Sequence, residues 1–237
     1  MAKRAATART QTSPALRLSA TQPKVIACIT MAIDHSAILG PDYPTRYLMK
    51  CIGRIAFPIF IFLIAEGCAK THDRQRYVLR LAAGALVSQI PWIIFQRFEL
   101  HMYFSTSVFV TLALAALSTY GVDELHKRPL LGIAVIAGCY GATQLLHSDW
   151  KTVGVLVCAA LYGLRALPPR YARIGQLCII ALTWLWLGQP TGLFALIPLA
   201  LYSGKRGGEC MGELAKWGFY AFYPLHLLVI VAVGTFL

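Results

Sequence analysis

The sequence predicts an all-α protein: a polytopic transmembrane helix bundle of about nine spans with a cytoplasmic N-terminus. Three observations predict it. Hydrophobic residues make up 57% and charged residues only 14% of 237 positions, and the mean hydropathy is +0.60. Soluble domains run near ~45–50% apolar and ~25% charged, so this chain has too little polar surface to cover itself in water. The apolar residues gather in long runs, which is the membrane signature. Finally, the net charge of +12 resides mostly in basic residues between those runs. In a soluble protein that charge would suggest nucleic acid; here the positive-inside rule accounts for it, and no nucleic-acid partner is expected.

The runs fall at 25–40, 47–69, 77–96, 104–120, 130–146, 152–165, 174–188, 190–203 and 217–237. Several are shorter than the ~20 residues that cross a hydrocarbon core, so they are tilted, thinned or only partly spanning. The pair 174–188 and 190–203, broken at Gly188-Gln189-Pro190-Thr191-Gly192, reads either as two short spans or as one re-entrant hairpin. Charge favours nine spans. With the N-terminus inside, the inner segments collect Lys3, Arg4, Arg9, Arg17 and Lys24; Lys70, Arg74, Arg76 and Arg80; Lys127 and Arg128; Arg165, Arg170 and Arg173; and Lys205, Arg206 and Lys216. The outer segments receive Arg46, Lys50, Arg97 and Lys151. Eight spans would put the cluster at 204–216 outside.

Residues 1–22, rich in Ala, Thr, Ser and basic residues and free of acids, read as a disordered basic cytosolic tail, and 23–237 as a single membrane domain. The first apolar run contains Asp34 and His35 and exits through Gly40-Pro41-Asp42-Tyr43-Pro44 instead of a small-residue cleavage site, so it is expected to remain uncleaved. The seven cysteines form no C-x-x-C pair and are expected to act as small buried hydrophobes; no metal site is expected. No P-loop, G-x-G-x-x-G or G-x-S-x-G motif occurs.

Ionisable groups inside a bilayer cost about 2.5–3.5 kcal/mol each, so they need partners, a wet cavity or a function. Asp34 and His35 lie in the first run, Arg54 in the second and His226 in the last; Glu66 lies near the inner end of the second, and Asp149 at an outer turn with His147 and Trp150. Asp34 follows Lys24 by ten residues, ~15 Å of helix rise, and Arg54 and His226 fall at a comparable depth. Asp34 and Arg54 are expected to neutralise each other, leaving His35 or His226 free to move protons near neutral pH. The same residues also suit a plainer role, an ion pair that fixes how two helices dock, with histidines as hydrogen-bonding glue. Gly53 and Pro58 flank Arg54, and a kink there would open room for a ligand. Lys205 and Arg206, in Tyr202-Ser203-Gly204-Lys205-Arg206-Gly207-Gly208, form a basic glycine-rich loop that reads as a phosphate cradle or as a topology anchor.

Several ordered blocks carry a resemblance: Ile29-Thr30-Met31-Ala32-Ile33-Asp34-His35, Ile52-Gly53-Arg54-Ile55-Ala56-Phe57-Pro58-Ile59-Phe60, Ala65-Glu66-Gly67, Ser88-Gln89-Ile90-Pro91, Asp149-Trp150, Tyr202 to Gly207, and Phe222-Tyr223-Pro224-Leu225-His226-Leu227-Leu228. From about Lys24 onward the chain resembles the TraX family, the inner-membrane pilin acetylases of conjugative transfer systems, and within it the TrbP-type proteins. The resemblance implies transfer of an acetyl group from acetyl-CoA to the N-terminal amine of pilin, at the bacterial inner membrane, in the company of other conjugation-apparatus proteins. By position, Asp34, His35, Arg54, Glu66, Asp149 and His226 fall on the family's polar motif residues and Lys205-Arg206 on its basic loop. Ser36 and the stretch Ser105-Thr106-Ser107 depart from the family pattern, on what reads as the acceptor side. Some related systems make cyclic pilins, which offer no free N-terminus.

The expected mechanism makes His35, oriented by Asp34, the general base toward the acceptor. Arg54 holds Asp34 or stabilises the oxyanion, His226 serves the thioester side or positions the acceptor, and Lys205 and Arg206 bind coenzyme A phosphates from the cytoplasm. Glu66 and Asp149 are grouped with the substrate-binding residues. Two other classes stay open: a small-molecule or proton-coupled transporter, against which no internal repeat is visible, and a non-catalytic pilus-assembly factor.

Overall fold

The computed structural model describes residues 17–99, 105–205 and 212–236. Helices follow one another along the whole described chain. They are α1 (Thr21–Ser36, prolonged by a 3₁₀ turn Ala37–Leu39), α2 (Tyr43–Gly53), α3 (Ala56–Lys70), α4 (Arg74–Phe98) and α5 (Val108–Glu124). Then come α6 (Pro129–Leu145), α7 (Lys151–Gly163, with a 3₁₀ turn Leu164–Ala166), α8 (Pro169–Trp186), a 3₁₀ segment Pro190–Ala195 leading into α9 (Leu196–Leu201), and α10 (Gly212–Phe236). Among the described residues no strand forms, only two isolated bridges, Leu18 with Tyr202 and Thr106 with Ser148. Among the described residues, each apolar run of the sequence is mostly helical.

α3 is the central helix. From Ala56 to Ala65 every residue but Phe60 is buried, so apolar side chains all round its circumference meet protein. α1, α5 and α7 pack against it. α5 and α6 cross closely because both carry glycine at the crossing. A Cβ at Gly121 would stand 2.7 Å from the Gly132 carbonyl, and one at Gly132 would stand 2.7 Å from that of Gly121. Outward faces stay apolar: Leu86 is 78% exposed, Leu130 83% and Trp186 81%. Such a surface has lipid as its natural solvent. Among the described residues three stretches, Tyr43–Lys70, Arg74–Phe98 and Trp217–Phe236, are long and apolar enough to cross a membrane, and Pro129–Leu145, Val153–Ala166 and Pro190–Leu201 are shorter apolar helices.

The second apolar run is not one uninterrupted helix. It breaks between α2 and α3 at Arg54–Ile55, because Pro58 has no N–H to offer the Arg54 carbonyl four residues back and its ring crowds that carbonyl. The pair beginning at 174 is a hairpin of unequal arms. α8 ends at Trp186, and the chain turns at Gly188, whose φ of +66° suits glycine. The return arm, six 3₁₀ and six α residues, rises roughly 21 Å, short of the ~30 Å hydrocarbon core.

One correction concerns the N-terminus. The expected tail to residue 22 ends earlier, since α1 begins at Thr21 and the residues before it are stitched to the end of α9. The Leu18 N–H donates to the Leu201 carbonyl at 2.9 Å, Ser203 N–H to the Leu18 carbonyl at 2.9 Å, and Ala20 N–H to the Lys205 carbonyl at 3.0 Å. The rest of the expected tail, residues 1–16, lies outside the described residues. Four of the cysteines, Cys28, Cys68, Cys139 and Cys158, are buried, Cys51 is half-buried and Cys178 exposed; Cys210 lies outside the described residues.

Candidate functional site

α1 carries Asp34 and His35 in its last turn, but neighbours on a helix diverge by about 100°, so the two side chains serve different partners. The His35 ring turns toward α10, where its Nδ1 lies 2.8 Å from Nε2 of His226. The other nitrogen of His226, Nδ1, lies 2.9 Å from the Phe222 carbonyl. A carbonyl only accepts, so His226 Nδ1 carries a proton; with both rings neutral, His226 Nε2 accepts and His35 Nδ1 donates. His35 Nε2 is then the unprotonated nitrogen of the pair, and it makes no hydrogen bond among the described residues. Aromatic edges hold the His35 ring in place: Phe95 at 5.3 Å, Trp92 at 6.1 Å and Tyr223 at 6.2 Å between centroids. The expected orientation of His35 by Asp34 is therefore replaced by orientation through His226.

Asp34 faces α2. Its Oδ2 lies 3.4 Å from Lys50 Nζ, and Lys50 also reaches to 4.0 Å from Glu99. Its Oδ1 is buried without a hydrogen-bond partner among the described residues. The approach of α2 depends on Gly53, where a Cβ would overlap the Asp34 carboxyl group. The expected Asp34–Arg54 pair is thus an Asp34–Lys50 pair. Lys50 and Arg54 lie one turn apart on the same face, and Arg54, at the helix break, lies instead over the Trp150 ring at 5.7 Å. Trp150 in turn stacks on Phe57 at 4.5 Å, with planes 5° apart, and on Trp184 at 5.8 Å.

The turn between α6 and α7 brings Asp149 into the same place. His147 and Trp150 both take positive φ, 47° and 57°, a left-handed conformation that costs a bulky residue on the order of 1–3 kcal/mol. The turn is fastened by Thr106 N–H to the His147 carbonyl at 3.3 Å and by the Thr111 hydroxyl to the Asp149 carbonyl. Ser105 and Ser107 are held in turn by Gln89, at 3.3 Å and 3.1 Å. The Asp149 carboxyl accepts the Trp150 N–H at 3.0 Å. Burial in this turn, outside the helical spans, pushes the Asp149 carboxyl up to about 6.

Asp34, His35, Arg54 and Asp149 thus line one chamber of about 60 Å³, with Phe57, Phe60, Trp150 and Tyr223 among its apolar walls. His226 stands behind His35. Four of the eight expected site residues share this chamber, and His226 supports it. Sequence reasoning missed Lys50, Trp150 and Tyr223; the four-residue spacing of Lys50 and Arg54 is the signal that could have found the first.

Glu66 and Lys205 belong elsewhere. Glu66 pairs with Lys70 at 2.6 Å and lines a second, larger cavity of about 310 Å³. That vestibule is also lined by Lys24, Lys70, Arg80, Tyr77, Tyr202 and Tyr220. Lys205 is exposed beside its mouth, bonded to Ala20 through its backbone carbonyl; Arg206 lies outside the described residues. The vestibule opens where α3 ends and α4 begins, the end at which Arg74 and Arg165 grip Asp123, the former at 2.7 Å. Among the described residues no group of three His, Cys, Asp or Glu side chains is placed to hold a metal ion.

Fold and site together define a membrane protein, all-helical over its described residues, with a buried imidazole pair and a carboxylate–guanidinium chamber between its helices. A family model described as TraX protein matches residues 19–234, and the chain belongs to that family. A probable fimbrial assembly protein FimC, serogroup H1, of Dichelobacter nodosus is 29% identical over 247 aligned residues, covering 92% of this chain and 97% of the relative. No solved structure matches.

Proposed function

We propose that the chain is an inner-membrane acyltransferase that acetylates the N-terminus of a conjugative pilin, or a related surface substrate, from acetyl-CoA, in pilus maturation and plasmid transfer. Membership of the TraX family and a relative named for fimbrial assembly support a pilus-related role. In this reading the chain crosses the inner membrane about nine times, the short return arm where the bilayer is thinned, starts in the cytoplasm, and works beside other proteins of the conjugation apparatus. The distribution of Lys and Arg between the helices supports that orientation.

The observation that carries the chemistry is the His35–His226 hydrogen bond at 2.8 Å, which fixes a bare imidazole nitrogen beside the chamber that Asp34, Arg54 and Asp149 line. The acceptor amine attacks the thioester carbonyl, and His35 Nε2 takes its proton. Arg54 stabilises the oxyanion that develops, in a site where few waters compete. As the tetrahedral intermediate collapses, the carbon–sulfur bond breaks and the proton held on His35 passes to the departing thiolate. His226 positions His35 and does not itself touch the reacting atoms. Lys24, Lys70 and Arg80 give the vestibule positive charge suited to coenzyme A phosphates, and the basic loop sequence of Lys205 and Arg206 would add to it. Asp34 and Asp149 accept hydrogen bonds from the acceptor, which enters as the neutral amine, and Glu66 sets the position of Lys70.

The test is intact-mass comparison of co-expressed pilin with wild-type protein, with the His35→Ala variant and without the protein. A gain of one acetyl unit that needs both the protein and His35 is expected; unchanged pilin mass in every sample overturns the proposal. The relative's name favours one other reading, a non-catalytic assembly factor that holds pilin precursors in the membrane. Detergent-purified protein that binds no acetyl-CoA would favour it.

A further inference from the structure

The two chambers share their walls. α1 contributes Lys24 to the vestibule and His35 to the polar chamber, α5 Phe109 and Val108, α10 Tyr220 and Tyr223. On α3 and the break before it, Arg54, Phe57, Phe60, Ile64 and Gly67 recur at three- and four-residue steps, so a single face of one helix runs past both cavities. Phe60 lines both. It stands six residues from Arg54 and six from Glu66, ~9 Å of rise each way. It also differs from the wall beside it. Phe57 is buried and clamped face to face on Trp150, whereas Phe60 is the half-buried residue of its stretch and joins no aromatic stack among the described residues.

We infer that Phe60 is the partition between donor vestibule and reaction chamber, and that it sets the length of the acyl group transferred. This rests on the acyltransferase reading. The vestibule, at about 310 Å³, has the size of a small-molecule site and takes the thioester arm of the donor. Only the acyl carbonyl and its substituent pass the Phe60 ring. There the acyl group leaves sulfur for the acceptor nitrogen, and the amine proton travels through His35 to the thiolate. The chamber beyond, at about 60 Å³, is small. A cavity of about 150 Å³ takes a benzene, six non-hydrogen atoms, so on the same scale a group of about two or three fits. The acetyl group, with three, meets that limit; hexanoyl does not. Replacing the ring by a methyl group joins the two cavities and lifts the limit.

The experiment measures coenzyme A thiol release from acetyl-, butanoyl- and hexanoyl-CoA by detergent-purified full-length protein, with mature conjugative pilin as acceptor. Wild type is expected to favour acetyl over hexanoyl by at least tenfold, a modest demand on a tight apolar wall. Phe60→Ala is expected to shift the hexanoyl-to-acetyl ratio at least tenfold toward hexanoyl, and Phe60→Trp to slow every donor. Phe60→Leu, a milder change, gives an intermediate shift and serves if the alanine variant does not stay monodisperse. A wild type active on acetyl-CoA together with Phe60 variants of unchanged donor ratio overturns the partition and leaves the enzyme reading standing. Wild type inactive on all three donors overturns both.

Discussion

Removing the His226 ring separates a positional role from a structural one. In His226→Phe, the His35 Nδ1–H that now donates over 2.8 Å loses its acceptor in a site where His226 itself is only 9% exposed. Leaving such a donor unpaired costs about 1–3 kcal/mol. His35 escapes that cost by moving the proton to Nε2, where water or substrate accepts it, and so loses the basic nitrogen that the reaction needs. General-base catalysis is worth roughly 10²–10⁴-fold, and kcat is expected to fall by that factor while KM for acetyl-CoA stays within about threefold. His226→Gln keeps an oxygen able to accept from His35 and an N–H₂ able to serve the Phe222 carbonyl, and is expected to retain at least about a tenth of wild-type kcat. The assay is acetyl-CoA turnover by purified protein, with monodispersity as the folding control. A phenylalanine variant within threefold of wild type, or a glutamine variant as inactive as phenylalanine, refutes the tautomer argument.

Three further outcomes are expected. Gly53→Ala drives a Cβ into Asp34, and since overpacking costs typically about 1–3 kcal/mol, it should lower the unfolding temperature in detergent and break the Asp34–Lys50 contact; a variant as stable and active as wild type would show that α1 and α2 part freely. Neutralising Lys24, Lys70 or Arg80 singly should weaken acetyl-CoA binding by about 10–100-fold at low salt and less at high salt, whereas equal affinity in titration calorimetry would remove the vestibule as donor site. Asp149 binds its proton more tightly folded than unfolded, its carboxyl being raised from 3.8 to about 6. Its contribution, about 3 kcal/mol, is present below pH 4 and lost as pH rises through 6, so Asp149→Asn should be the more stable protein at pH 7, by thermal unfolding across pH. Identical pH profiles for the two proteins would contradict that burial.

What the sequence made legible were the features that one dimension encodes. Apolar runs gave the helices, and the break at Arg54–Ile55 followed from Gly53 and Pro58. Rare charges gave most of the chamber, since Asp34, His35, Arg54 and Asp149 do converge. Partner assignment was not legible. Asp34 and His35 are adjacent in sequence and so point apart, and which of Lys50 and Arg54 reaches Asp34 depends on how α2 rotates after the break. Asp149 sits in a turn whose entry into the chamber depends on two left-handed residues and on the Gln89–Ser105–Ser107 contacts. Lys24, Lys70 and Arg80 read as topology charges because nothing local shows that α1, α3 and α4 end around one cavity. Phe60 had no polar signal at all.

The stack of Arg54, Trp150, Phe57 and Trp184 has a practical consequence. An indole that forms the chamber wall, with a cation over one face, is a built-in optical reporter: whatever enters displaces solvent from it and alters its emission. With the other four tryptophans, Trp92, Trp184, Trp186 and Trp217, replaced by phenylalanine to isolate the Trp150 signal, occupancy of the chamber can be followed in unlabelled protein, in bilayers as well as detergent, before any acceptor is identified.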